Sequence, residues 1–115
     1  MRTIILLCDW DSTLFWRDSE GQGRIDETTL PISDELKRRL LYYYKHFSDL
    51  YYEDNSPPVP DLEKRILDDV GLDIWRQLRV ELDGVYRVLF HSDELSHPFE
   101  SPEEFLAIRN EVDGK

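Results

Sequence analysis

Ile4-Ile5-Leu6-Leu7-Cys8-Asp9-Trp10-Asp11-Ser12-Thr13-Leu14-Phe15 opens the chain with an apolar run that ends in two aspartates one residue apart. Five successive apolar residues, Ile4 to Cys8, predict a strand buried on both faces. The first strand is placed at residues 2–9. Asp9 and Asp11 then leave its carboxyl end, the edge at which open α/β sheets place their ligands. A doubly buried strand needs helices to cover it, and the class that follows is α/β.

The covering helices are legible downstream. Leu30-Pro31-Ile32-Ser33 is a helix entry, with Ser33 as N-cap and Asp34 and Glu35 facing the positive end of the helix dipole. Leu36, Leu40, Tyr43, Tyr44, Phe47, Leu50 and Tyr51 fall in one stripe at helical spacing, which predicts a helix over 34–53. Tyr42 projects from the polar side of that helix and is expected to be exposed. Pro57, Pro58 and Pro60 make a stiff connector, and Asp61 is read as the cap of a second helix to about residue 82. Leu67, Gly71, Ile74, Leu78 and Leu82 form its seam. A glycine inside a seam points to close backbone approach.

Asp83-Gly84 turns the chain into a second strand, Val85 to His91, and residues 92–100 read as a loop. Ser101-Pro102-Glu103-Glu104 opens the last helix, with Ser as cap, Pro at the first position and Glu at the third. The architecture expected is β-α-α-β-α: a small two-layer α/β domain, residues 1–115 as a single unit, with a minimal sheet covered by a helical hairpin. Two strands make a poor sheet. Either a short strand at 13–17 adds to it, or two chains join their sheets as a homodimer.

Composition narrows the partners. Twenty-five acidic residues against 14 basic ones give a net charge of −11. Such a surface repels phosphate backbones and anionic lipid, so neither nucleic acid nor membrane is expected as a partner, while a basic protein is attracted. Cys8 is the only cysteine, which excludes an internal disulfide and fits a reducing, cytoplasmic setting. The apolar run is too short for a signal segment or a membrane span. His46, His91 and His97 show no metal-ligand spacing, and no cofactor is expected.

The opening stretch resembles the first motif of haloacid-dehalogenase-type phosphohydrolases, an apolar strand followed by Asp-x-Asp-x-Thr-Leu. That resemblance implies Asp9 as nucleophile, Asp11 as acid/base and Mg²⁺ held by the two carboxylates. Ser92, after the second strand, stands where that family's second motif has Ser or Thr. The later lysine is missing, because the only lysine after Ser92 is Lys115. Only two strands of a sheet that needs about five are secure in the pattern.

A second resemblance spans most of residues 3–90. Phe15-Trp16 in an acidic loop, Leu30-Pro31-Ile32-Ser33, and Gly71 to Leu82 ending in Glu81-Leu82 are similar to a group of small bacterial α/β proteins. Their usual Leu is Ile32 here, and Asp83 stands where a Gly is common. Some members look like immunity or antitoxin-type proteins in size and acidity. The resemblance supplies no catalytic residue.

The expectation is therefore a non-enzymatic acidic binding protein that occludes a basic partner, with a degenerate Mg²⁺-dependent phosphohydrolase as the alternative. The candidate binding residues are Trp10, Asp11, Trp16, Asp18 and Glu20 of the 9–20 loop, joined by Tyr42. Carboxylates would steer the encounter and aromatics would anchor it. The opposing expectation for Trp10 and Trp16 is that both rings fold back as lids over the core.

Overall fold

A computed structural model describes residues 2–8, 12–17, 23–51 and 59–114. Strands β1 (Arg2–Leu6), β2 (Leu14–Trp16), β3 (Tyr86–Ser92) and β4 (His97–Phe99) alternate with helices α1 (Asp34–Tyr51), α2 (Asp61–Glu81) and α3 (Pro102–Asp113). The four strands form one sheet in the order β2-β1-β3-β4. β1 and β3 run parallel, with Ile4 beside Val88 and Leu6 beside Phe90, and the two flanking pairs are antiparallel.

The crossover from β1 to β3 carries the α1–α2 hairpin, so one side of the sheet receives the helices. Ile4, Leu6, Leu14, Val88 and Phe90 alternate onto that side and join Leu36, Leu40, Tyr43, Leu67, Ile74, Trp75 and Leu78 in a single core. Trp75 stacks on Phe90 with ring centres 5.2 Å apart and donates its indole N–H to the Val88 carbonyl at 2.9 Å. α3 adds Phe105, edge-on to Phe90 and Phe99. Ile5 and Leu89, neighbours on the opposite face, are buried too, at 3% and 8% exposure. Ile4 to Leu6 are thus buried on both faces, while Leu7 and Cys8 are half-buried beyond the end of β1 at Leu6, short of the residue 9 expected from the apolar run.

The two-layer α/β class holds, with two strands beyond the secure pair. Leu14–Trp16 is a strand against β1, the third-strand option. His97–Phe99 is a strand within the stretch read as a loop. Three residues with a central proline offer no alternation to read. Pro98 is tolerated because β4 is an edge, where a missing N–H breaks no ladder. The three cap assignments also divide. Ser33 accepts from the Leu36 N–H at 3.1 Å and Ser101 from the Glu104 N–H at 3.1 Å, as expected. Asp61 is instead the first helical residue, and Pro60 occupies the N-cap without a side-chain bond. An extended proline delivers the chain into the helix while its own carbonyl accepts from the Glu63 and Lys64 N–H groups.

Candidate functional site

The parallel pair β1·β3 directs Cys8 and Ser92 to one end of the sheet, and a buried carboxylate waits there. Asp68 of α2 is fully buried. Its oxygens accept from the Ser92 hydroxyl at 2.6 Å, the Asp93 N–H at 2.8 Å and the Glu94 N–H at 3.3 Å. Ser92 Oγ in turn accepts from the Leu95 N–H at 2.9 Å. The 93–96 turn is thereby stapled to α2, with Ser96 at a φ of 51°. Burial pushes the Asp68 carboxyl above its usual range, against the pull of its three hydrogen bonds. Tyr51 of α1 donates to Asp93 at 2.5 Å. Burial first, then the Asp93 carboxylate, raises that phenol.

Ionic contacts close the same corner. Arg65 meets Glu94 at 3.1 Å and Asp113 at 2.5 Å. Arg109, 9% exposed, donates to Asp69 at 2.7 Å and to the Arg65 carbonyl at 3.3 Å. α1, α2, α3 and the β3–β4 turn therefore meet at one polar hub. Its chemistry is that of a fastening: Ser92 is engaged as both donor and acceptor. Cys8 is held as a neutral thiol by burial, with only a weak 3.9 Å contact to the Tyr43 carbonyl.

The residues singled out from the sequence lie in different places. Trp16 of β2 is half-buried, with the Arg2 guanidinium 3.6 Å above its ring and Tyr86 edge-on at 5.5 Å. Tyr42 is 60% exposed and lines a groove of about 340 Å³ between α1 and α2, with Glu35, Arg38, Val70 and Asp73. Trp16 is not part of that groove. Trp10, Asp11, Asp18 and Glu20 lie outside the described residues, as does Asp9, the proposed partner of Asp11 in holding Mg²⁺. Among the described residues, no group of three His, Cys, Asp or Glu side chains is placed to hold a metal ion. No described helix is long and apolar enough to cross a membrane.

Sequence reasoning missed the Asp68 hub. One signal for it exists: Asp68 is one residue past Leu67 and three before Gly71, so the helical period turns it toward the buried side. A buried carboxylate requires donors, and Ser92-Asp93-Glu94 after a strand is the kind of turn that supplies them.

Comparison with known proteins gives one family. A family model described as Serratia CdiI immunity protein-like matches residues 2–93, from β1 through the first residue of the stapled turn. No curated protein matches the chain.

Proposed function

This chain belongs to the Serratia CdiI immunity protein-like family, and from that membership we propose that it neutralises a protein toxin by binding and covering it. The family match over 2–93 of 115 residues is the observation that carries this reading. The charge of −11 gives the partner its character: a toxin surface rich in lysine and arginine. Long-range attraction speeds the encounter, and apolar side chains set how long the complex lasts. Trp10, Asp11, Trp16, Asp18 and Glu20 are proposed as one set of contacts and Tyr42 as an anchor on another element. No cofactor or metal takes part in this mechanism.

The test pairs the purified chain with the toxin domain encoded beside its gene. Calorimetry is expected to show a stoichiometric complex that weakens as salt rises, and cells producing the toxin are expected to survive when the chain is co-produced. A toxin that neither binds the chain nor loses activity in its presence would sink the reading.

A further inference from the structure

α2 buries one side in the core, and the opposite side of an amphipathic helix is ordinarily polar. The first half of α2 departs from that rule. Val70, half-buried against the core, lines the groove that also holds Tyr42, Arg38 and Arg39. Stepping back four residues at a time along the same side gives Ile66, 40% exposed, and Leu62, 67% exposed. Single exposed apolar residues are ordinary, but a line of them running into a groove beside an exposed tyrosine forms a contiguous patch.

Charge adds the second observation. Asp61, Glu63 and Asp73 border this line, and among the described residues none of the three has an ion-pair partner. Other described carboxylates, Glu35, Asp83 and Glu104 among them, are unpaired as well, whereas Asp69 pairs with Arg109, Glu100 with Arg87 and Glu103 with Arg79, so the acidic border reflects the chain's net charge of −11. An apolar ridge edged by unmatched carboxylates is complementary to an apolar surface edged by cations.

We propose that the Leu62–Ile66–Val70 ridge, continued by Tyr42, is the toxin-docking surface, and that the toxin meets it with apolar side chains flanked by lysine or arginine. The inference rests on the immunity reading and places its contact on the outward side of the helical hairpin. Desolvated apolar contacts at the centre govern dissociation, and the acidic border governs association.

The experiment measures binding of the adjacent-gene toxin domain by biolayer interferometry. Leu62→Asp/Ile66→Asp is compared with Asp61→Lys/Asp73→Lys and with Val80→Asp, a control 76% exposed at the other end of α2. Leu62→Ser/Ile66→Ser replaces the first variant if circular dichroism shows that it is misfolded. The ridge variant is expected to lose about 30-fold or more in affinity, the scale of a hot-spot loss. The charge-reversal variant is expected to associate more slowly and to show a flatter salt dependence, while Val80→Asp stays within about twofold of the parent. Parental affinity in a folded ridge variant would overturn the placement while leaving the immunity reading intact. Failure of the unmodified chain to bind at all would instead overturn the immunity reading, and the placement with it. A dimer of the chain alone that a folded ridge variant dissolves would reassign the ridge to self-association.

Discussion

Gly71 lies against the ring of Phe90 so closely that a Cβ added to it would stand 2.7 Å from Phe90 Cε1 and 3.0 Å from the Tyr43 hydroxyl. The seam of α2 is therefore a backbone-to-ring contact, and Trp75, one turn further along α2, stacks on the same ring. Gly71→Ala gains about 1 kcal/mol of helix propensity and loses it to the clash, since neither Phe90 nor Tyr43 has room to retreat in a filled core. Gly71→Leu is expected to cost about 1–3 kcal/mol net in urea unfolding. A leucine variant as stable as the parent would show that the ring moves aside freely.

Asp68 is the second point at which the fold depends on one side chain. Asp68→Ala would leave the Ser92 hydroxyl and the Asp93 and Glu94 N–H groups without their acceptor. A loss of about 2–4 kcal/mol is expected, because buried donors stripped of a partner carry their full desolvation penalty. Asp68→Asn keeps one acceptor oxygen and should fall between the alanine variant and the parent. An alanine variant within experimental error of the parent would mean that water reaches the turn.

Much of this fold can be read from the residues, and what escapes reading does so for a physical reason. β1, α1, α2, β3 and α3 carry long periodic patterns with Ser33, Ser101 and Gly84 at their boundaries. Gly84 has the positive φ of 78° that its turn requires. β4 is too short to show a period, and only pairing with Phe90 and His91 makes it a strand. Asp61 looks like a cap because an acidic residue suits both the cap and the first turn. The hub is a matter of tertiary geometry: Asp68 and Ser92 are 24 positions apart, and no spacing rule joins them. Tyr42 was legible as exposed because it sits off the apolar stripe. The ridge was not, since Leu62 and Ile66 look like core residues until the side of α2 facing α1 and the sheet is known.

His91 gives the stability a pH dependence of definite sign. Burial lowers its pKa, helped by the charges of His97 and Arg17 and opposed by Asp93. The unfolded chain therefore binds this proton first, starting near the ordinary histidine value of about 6.5. The stability tied to neutral His91 is fully present above that value and is lost as pH falls through the lower folded value. Unfolding midpoints of the parent relative to His91→Gln should drop between about pH 7 and pH 5. A difference that stays flat over that interval would show a histidine free in solvent.

Asp68 titrates with the opposite sign. Its pKa is raised in the folded state, so its protonated form is favoured by folding, and the associated stability is lost as pH rises through the folded value. The parent relative to Asp68→Asn should therefore weaken as pH climbs from about 4, the ordinary aspartate range, toward neutrality. Parallel midpoint curves for the two proteins would mean that the hydrogen bonds from Ser92, Asp93 and Glu94 cancel the effect of burial.

The phosphohydrolase alternative has its own measurement. Ser92, the residue that would stand in that family's second motif, has its hydroxyl committed to Asp68 and the Leu95 N–H. With Mg²⁺ supplied, hydrolysis of phosphomonoesters is expected to equal that of an Asp9→Asn control. Turnover in the parent that vanishes in the control would reinstate the enzyme.

Self-association is the remaining question, and the sheet edges bear on it. A two-stranded sheet with open edges calls for a further strand, a second copy or a tight partner, and among the described residues the sheet has four strands. The outer side of β2 is partly occupied, since the Trp16 N–H donates to the Gly23 carbonyl at 2.9 Å and the Ile25 N–H to the Leu14 carbonyl at 2.7 Å. β4 is three residues long with Pro98 at its centre, a combination that discourages strand addition. A charge of −11 then repels a second copy. Sedimentation is expected to give a monomer both at low salt and near 0.15 M, where screening shortens to about 8 Å. The toxin complex should weaken over the same interval, because its attraction is the screened term. A dimer that tightens as salt rises would restore the homodimer, with relief of self-repulsion as its cause.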